Sequence, residues 1–226
     1  MREANAKCHK LFEGFQKMVG CNNMEGKTRE GSRVVLWVDA VGGYLVCLGD
    51  EVILGQAIPD ADIEIPIFGD LSRRHLRIFR DGEGYLLEPL QKVLVNGKVV
   101  HTVTSLQEGA EVEVGQGVRL RFRRPHALSS TARLDFISQH RVSPTVDGIL
   151  LMSDSLVMGP GNSSHIVCRD WEADLVLFRQ GTDLFCRGSE YLEIDGRKSF
   201  DGIPIRHNSH LAGTNFAVSL EDLRTH

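Results

Sequence analysis

The chain has 226 residues, a formal net charge of −4, 42% hydrophobic and 25% charged residues. This is the make-up of a globular protein large enough for one large or two small domains. The slight acidity gives no basis for nucleic-acid binding, and no apolar run approaches a membrane span.

In chain order, Leu11, Phe12, Phe15, Met18 and Val19 recur at helical spacing, with Gly20 and Asn22-Asn23 as a stop. The pattern predicts a short amphipathic α-helix in an N-terminal arm, residues 1–30. Docking on its own domain, dimer formation and insertion into a partner's groove all remain open for it. From residue 31 the pattern changes to short apolar runs between Gly, Asp and Asn turns, within a total of 23 glycines. This predicts mostly β structure. Val52 to Gly55 is apolar and ends in Gly, and Asp62-Ile63-Glu64-Ile65 alternates as a strand. Ser72-Arg73-Arg74-His75 then precedes Leu76-Arg77-Ile78-Phe79, and Asp81-Gly82-Glu83-Gly84 marks a turn. Val93-Leu94-Val95 leads to a hairpin signal at Asn96-Gly97. Leu106–Gly109 precedes the alternating Val112, Val114, Val118, Leu120 and Phe122.

A hydroxyl, two guanidiniums and an imidazole at a strand entrance have the chemistry to receive a phosphate, because Arg offers a charged fork and Ser a short neutral hydrogen bond. The order of Gly55, Ser72, His75, Asn96-Gly97 and the Leu106–Gly109 turn resembles a forkhead-associated (FHA) domain over residues 31–125. The resemblance implies a β-sandwich that binds a phosphothreonine peptide with loops at one end. It implies phosphate contacts from Ser72 and Arg73, with Arg74 and Gln56 beside them. It also implies structural support of the loops from Gly55, His75, Asn96 and Gly97.

The chain departs from that pattern twice. Gln56 stands where the family carries Arg, which keeps hydrogen-bonding capacity and loses charge. Glu88–Lys92 forms a shortened loop without the usual peptide-contacting Asn. Arg73, Arg74, Arg77 and Arg80 make a dense basic cluster, with Lys92 as a further cation. Strand alternation separates Arg77 from Arg74 and Arg80, so a solvated sheet face is the plain expectation for Arg77 and Arg80.

The second half echoes the first at a period near one hundred residues. Gly43–Gly55 resembles Gly148–Gly159, His75–Gly82 resembles Asp174–Gly181, and Val93–Lys98 resembles Leu192–Arg197. The expected fold class is therefore all-β, two FHA-like β-sandwiches in tandem after the helix. Residues 31–125 form the first, 126–132 a short linker, and 133–226 a degenerate second copy. In that copy Trp171-Glu172-Ala173-Asp174 replaces Ser72–His75, and two carboxylates there would repel phosphate.

No nucleotide-binding Gly loop, nucleophile elbow or zinc spacing is present, so no enzyme activity, cofactor or metal is expected. Cys8-His9 with Cys21, and His207 with His210, lack structural metal spacing. Cys47, Cys168 and Cys186 lie in apolar strands as inert thiols. Five cysteines without a framework spacing, and no signal-peptide pattern after Met1, point to the reducing cytoplasm. The expected function is a signalling adaptor that binds a phosphothreonine-containing or unmodified protein segment in a Ser/Thr kinase pathway, with altered phosphate recognition. The alternative is a structural scaffold whose two domains bind no phosphate. Homo-oligomerisation is open.

Overall fold

The computed structural model describes residues 33–223, apart from 60, 182, 189–190, 200–201, 203 and 207. The expected N-terminal helix lies outside these residues. All regular structure among the described residues is β. The first half supplies β1 (Arg33–Val38), β2 (Gly42–Cys47), β3 (Glu51–Gln56), β4 (Ile65–Phe68), β5 (Leu76–Asp81), β6 (Gly84–Pro89), β7 (Val93–Val95), β8 (Lys98–Val100), β9 (Thr104–Ser105), β10 (Glu111–Val114) and β11 (Val118–Arg123). Next come β12 (Ala132–Phe136), β13 (Arg141–Val142), β14 (Gly148–Leu151), β15 (Ser155–Gly159), β16 (Ile166–Val167), β17 (Leu175–Gln180) and β18 (Asp183–Gly188). The last five are β19 (Leu192–Ile194), β20 (Arg197–Ser199), β21 (Pro204–Ile205), β22 (His210–Ala212) and β23 (Ala217–Asp222).

A twelve-stranded sheet runs β20-β19-β22-β23-β1-β2-β14-β12-β11-β10-β7-β8. A six-stranded sheet, β13-β4-β3-β5-β6-β9, and a five-stranded sheet, β16-β15-β17-β18-β21, cover its two halves. Val35, Leu45, Ile149 and Leu151 join one core with Leu54, Ile65, Leu76 and Leu87. Their chain neighbours Val34, Leu36, Val46 and Leu150 join a second core with Leu156, Met158, Leu175 and Leu177. Successive residues of a strand point to opposite faces, so the two covering sheets lie on opposite faces of the long sheet. Its central strands are buried on both sides. This is why Leu45-Val46-Cys47 and Ile149-Leu150-Leu151 are continuously apolar instead of alternating.

The internally similar segments fall on β2–β3 and β14–β15, on β5 and β17, and on the β7–β8 and β19–β20 hairpins. Both hairpin turns carry two positive φ angles, at Asn96-Gly97 and Asp195-Gly196. Such turns match the strand twist.

The pairing at the sheet centre exchanges hairpins between the halves. Hairpin β1–β2 directly precedes β3, yet β1 pairs with β23, the last strand of the second half. The β12–β14 pair precedes β15, yet β12 pairs with β11, the last strand of the first half. The two hairpins meet where β2 and β14 run parallel, with Leu45 opposite Ile149 and Val46 opposite Leu150.

Two arginines at equivalent strand ends fasten this crossing. Arg80 donates to the Met152 carbonyl (3.1 Å) and to Ser153 Oγ (3.0 Å), while pairing with Asp50 (3.1 Å). Arg179 donates to the Leu48 carbonyl. Each guanidinium thus reaches the turn leaving the other half's hairpin. Residues 124–131 are tied down as well: Ser129 and Thr131 hydroxyls donate to the Ser155 carbonyl at 2.8 and 2.6 Å.

The expected strand at Asp62–Ile65 is displaced to Ile65–Phe68. The Glu64 carboxylate accepts the Ile53 N–H at 2.7 Å, so the β3–β4 ladder begins only at Leu54 and Ile65.

Candidate functional site

The loop joining β4 to β5, Gly69–His75, crosses the end of β3. Its path requires Gly55: a Cβ there would stand 1.8 Å from the Arg73 carbonyl oxygen. Two backbone hydrogen bonds hold the loop over β3, from Gln56 N–H to the Ser72 carbonyl (3.0 Å) and from His75 N–H to the Leu54 carbonyl (2.8 Å). The Gln56 amide donates to the Gly69 carbonyl at 3.3 Å. Its polar end is therefore directed at the loop backbone.

His75 is 5% exposed and fastens two loops at once. Its Nδ1 accepts the Ser72 N–H at 3.2 Å, and its Nε2 shares a 2.9 Å hydrogen bond with the Lys92 carbonyl and lies 3.4 Å from the Gly115 nitrogen. The His75 carbonyl in turn accepts the N–H groups of Leu90 (3.1 Å) and Gln91 (3.0 Å). The short β6–β7 loop is thereby locked to the Ser72 loop.

A further brace comes from the β10–β11 turn. Gln116 donates through its backbone to the Asp70 carbonyl (3.1 Å) and through its amide to the Asp70 carboxylate (2.5 Å). Gly115, at φ 55°, fits directly beneath Asp70. The Gly115-Gln116-Gly117 run was a legible turn signal whose role at this loop the sequence reading missed.

On this braced support Ser72, Arg73 and Arg74 are all exposed. Among the described residues their side chains have no hydrogen-bond or ion-pair partner, and Lys92 is exposed beside them. The other two arginines of the cluster are committed elsewhere. Arg77 pairs with Glu88 (2.6 Å) and Glu51 (3.0 Å), with Phe79 beneath its guanidinium. Arg80 is only 12% exposed at its side chain and joins the interhalf contact, where a solvated face was expected. Asn96 and Gly97 form the β7–β8 turn, and the Asn96 side chain accepts the Glu111 N–H at 2.9 Å. They shape the hairpin and are not part of the Ser72 loop.

The corresponding loop of the second half has different chemistry. Trp171 is buried and stacks on Phe216 at 4.4 Å between ring centroids. Asp174 fills the space beside Gly159, where a Cβ would meet its carboxylate at 1.8 Å. Burial raises the Asp174 carboxyl above its ordinary range, and His126 opposes the shift. Asp170 and Glu172 are exposed nearby, so this end presents carboxylates.

Cys47, Cys168 and Cys186 are free and buried. Burial pushes their thiols up to about 12, about 12 and about 11. Such thiols are inert as nucleophiles at neutral pH. Among the described residues no three His, Cys, Asp or Glu side chains cluster as metal ligands, and no helix is long and apolar enough to cross a membrane. Cys8, His9, Cys21 and His207 lie outside the described residues. His210 shares a 2.9 Å hydrogen bond with Ser219.

Residues 52–115 match the family model of the FHA domain. That span contains Gly55, the Ser72 loop, His75, the β6–β7 loop and Gly115. The chain is also similar to a solved structure titled "Rv0020c_FHA Structure", at 27% identity over 43% of this chain and 98% of that one, with a TM-score of 0.26. No curated protein matches the chain. The segment 52–115 thus resembles the FHA domain, a family of protein-interaction modules.

Proposed function

We propose that this chain is a non-enzymatic signalling adaptor whose first unit binds a phosphothreonine-containing protein segment. The observation carrying this reading is the exposure of Ser72, Arg73 and Arg74 without partners, on a loop held by Gly55, His75 and the Gly115 turn. A dianionic phosphate gains charge-assisted hydrogen bonds from both guanidiniums and one from the Ser72 hydroxyl. The loop is held in place before the ligand arrives, so little ordering cost is left to binding. Gln56 contributes to loop shape, through Gly69. In sequence the two halves are residues 31–125 and 133–226, joined at 126–132, with the β1–β2 and β12–β14 hairpins exchanged between them, and the second half binds no phosphate because carboxylates occupy its matching end. The ligand would arise from Ser/Thr kinase activity in the cytoplasm, where the free buried thiols are at home.

The scaffold reading draws support from the continuous long sheet, which makes the acidic second half a rigid support for the first. A degenerate phosphothreonine peptide library and its unphosphorylated twin, presented to wild type and to Ser72→Ala, test the two readings. Phosphate-dependent retention lost in the variant supports the adaptor. Equal retention of both libraries by wild type supports the scaffold.

A further inference from the structure

The Ser72 loop has a neighbour from the other half of the sequence. Residues 137–147 connect β12 to β14, and within them β13 adds itself to the free edge of β4. The register sets Arg141 opposite Phe68 and Val142 opposite Ile67, and Ser143 N–H donates to the Pro66 carbonyl at 2.8 Å. Across β4, Ile67 is in turn paired with Gln56, and Pro66 with Gly55. Position 141 therefore stands at the loop-bearing end of this sheet, two strands from β3.

Side-chain direction places Arg141 on the same surface as the loop. Val142 and Ile67 are fully buried in the first core. Their neighbours Arg141 and Phe68 consequently point outward, the side on which Arg73 crosses Gly55. Phe68 is 54% exposed and Arg141 is exposed. With strands about 4.8 Å apart and residues about 3.3 Å apart, the Arg141 Cα lies about 12 Å from that of Gly55. An anion on this surface is within joint reach of Arg73 and Arg141.

The connector is also tied to the loop itself. His140 packs on Gly69, where a Cβ would be 3.2 Å from the ring. His140 shares a 2.9 Å hydrogen bond with Ser138, whose hydroxyl accepts the Arg119 N–H at 3.1 Å. Arg141 spends one guanidinium nitrogen on the carbonyls of His140 (3.0 Å) and Gln139 (3.4 Å). Among the described residues it has no carboxylate partner. The nearby Asp70 carboxylate is engaged by Gln116.

We propose that Arg141 is a ligand-binding residue of the Ser72 site, so that the phosphate is held from both halves of the sequence. This rests on the phosphothreonine reading above. The hairpin exchange gives the connector its role: β12–β14 completes the first unit's sheet and carries a cation to its ligand surface. The Gln56 amide is occupied by Gly69, and Arg141 supplies charge on that side of the loop.

The test uses the full chain and a phosphothreonine peptide selected from the library, with its unmodified twin. Arg141→Ala is expected to weaken the phosphopeptide about tenfold and leave the twin unchanged, and Arg141→Lys to retain most of the affinity. Arg141→Glu is expected to abolish the phosphate preference. Phosphopeptide affinity within twofold of wild type in both Arg141→Ala and Arg141→Glu, with Ser72→Ala still defective, overturns the role of Arg141 and leaves the phosphate reading standing. A wild-type chain indifferent to phosphate overturns both. As an independent readout, the Arg141 side-chain Nε–H resonance of the unmutated protein is expected to shift on titration with phosphothreonine. An unmoved resonance at saturation contradicts direct contact.

Discussion

Cutting the chain between Ala127 and Leu128, through an engineered protease site, leaves every strand intact. Both residues are exposed, whereas Ser129 and Thr131 are buried. If hairpins are exchanged, the two fragments remain associated after the cut. Four strand pairings cross between them, β1–β23, β2–β14, β11–β12 and β4–β13. The hairpin β1–β2 also sends Val34, Leu36, Val38 and Val46 into the second core. At roughly 1.5–3 kcal/mol per buried aliphatic side chain, those four alone contribute about 6–12 kcal/mol, an upper estimate. That is comparable to the whole stability of an ordinary domain, about 5–15 kcal/mol. The cut protein should therefore run as one particle of about the intact mass in size-exclusion chromatography. A disulfide identifies the pairing itself. Trp37 and Ser219 are cross-strand partners, and such Cα separations of about 4.5–5.5 Å suit an S–S bond. In Trp37→Cys with Ser219→Cys, the cut chain should stay joined on a non-reducing gel and separate on reduction. Fragments that separate under native conditions, or that stay unlinked beyond a control lacking the introduced cysteines, refute the exchange.

Gly55→Ala forces the Arg73 carbonyl to retreat by more than 1 Å, from 1.8 Å to beyond 3.0 Å. At least one of the bonds at Ser72 and His75 must then break, at a cost of about 1–3 kcal/mol read by urea denaturation, with loss of phosphopeptide binding. Unchanged stability and binding contradict the loop packing. His165, fully buried, has its imidazole pushed down to about 4, chiefly by burial, and its Nδ1 accepts the Val157 N–H. Its folded value lies below the ordinary value near 6.5, so the unfolded chain binds the extra proton between about pH 6.5 and 4. Stability should fall with falling pH across that window, by up to about 3 kcal/mol from this residue. His165→Gln should flatten that part of the profile in denaturation midpoints against pH, and a profile of unchanged slope counts against it.

The local turns were legible because their chemistry is local. Asn96-Gly97 needs two positive φ angles, and few residue pairs supply them. His75 stands out in sequence through the Ser-x-x-His pattern, whereas the contacts of its ring with Ser72, Lys92 and Gly115 depend on the packing of three loops. Arg80 was misplaced because strand alternation distinguishes faces and does not say what covers them. The outer face of a lone sandwich is wet, but here the turn at Met152-Ser153 lies against it. The exchange itself left no periodic trace. Leu45-Val46-Cys47 is apolar on both faces, so its pattern does not distinguish β14 from any other neighbour. Arg141 was illegible for the same reason: it is 69 positions from Ser72 in sequence, and only the pairing of β13 with β4 brings it near the loop.

The most direct test of the account is calorimetric titration of one library-selected phosphothreonine peptide and its unmodified twin into wild type and Ser72→Ala. The account predicts at least about a tenfold preference for phosphate in wild type and its loss in the variant, since a hydrogen bond to a charged group contributes about 1.5–3 kcal/mol. Equal affinity of wild type for the two peptides would contradict the assignment of the Ser72 loop as a phosphate site.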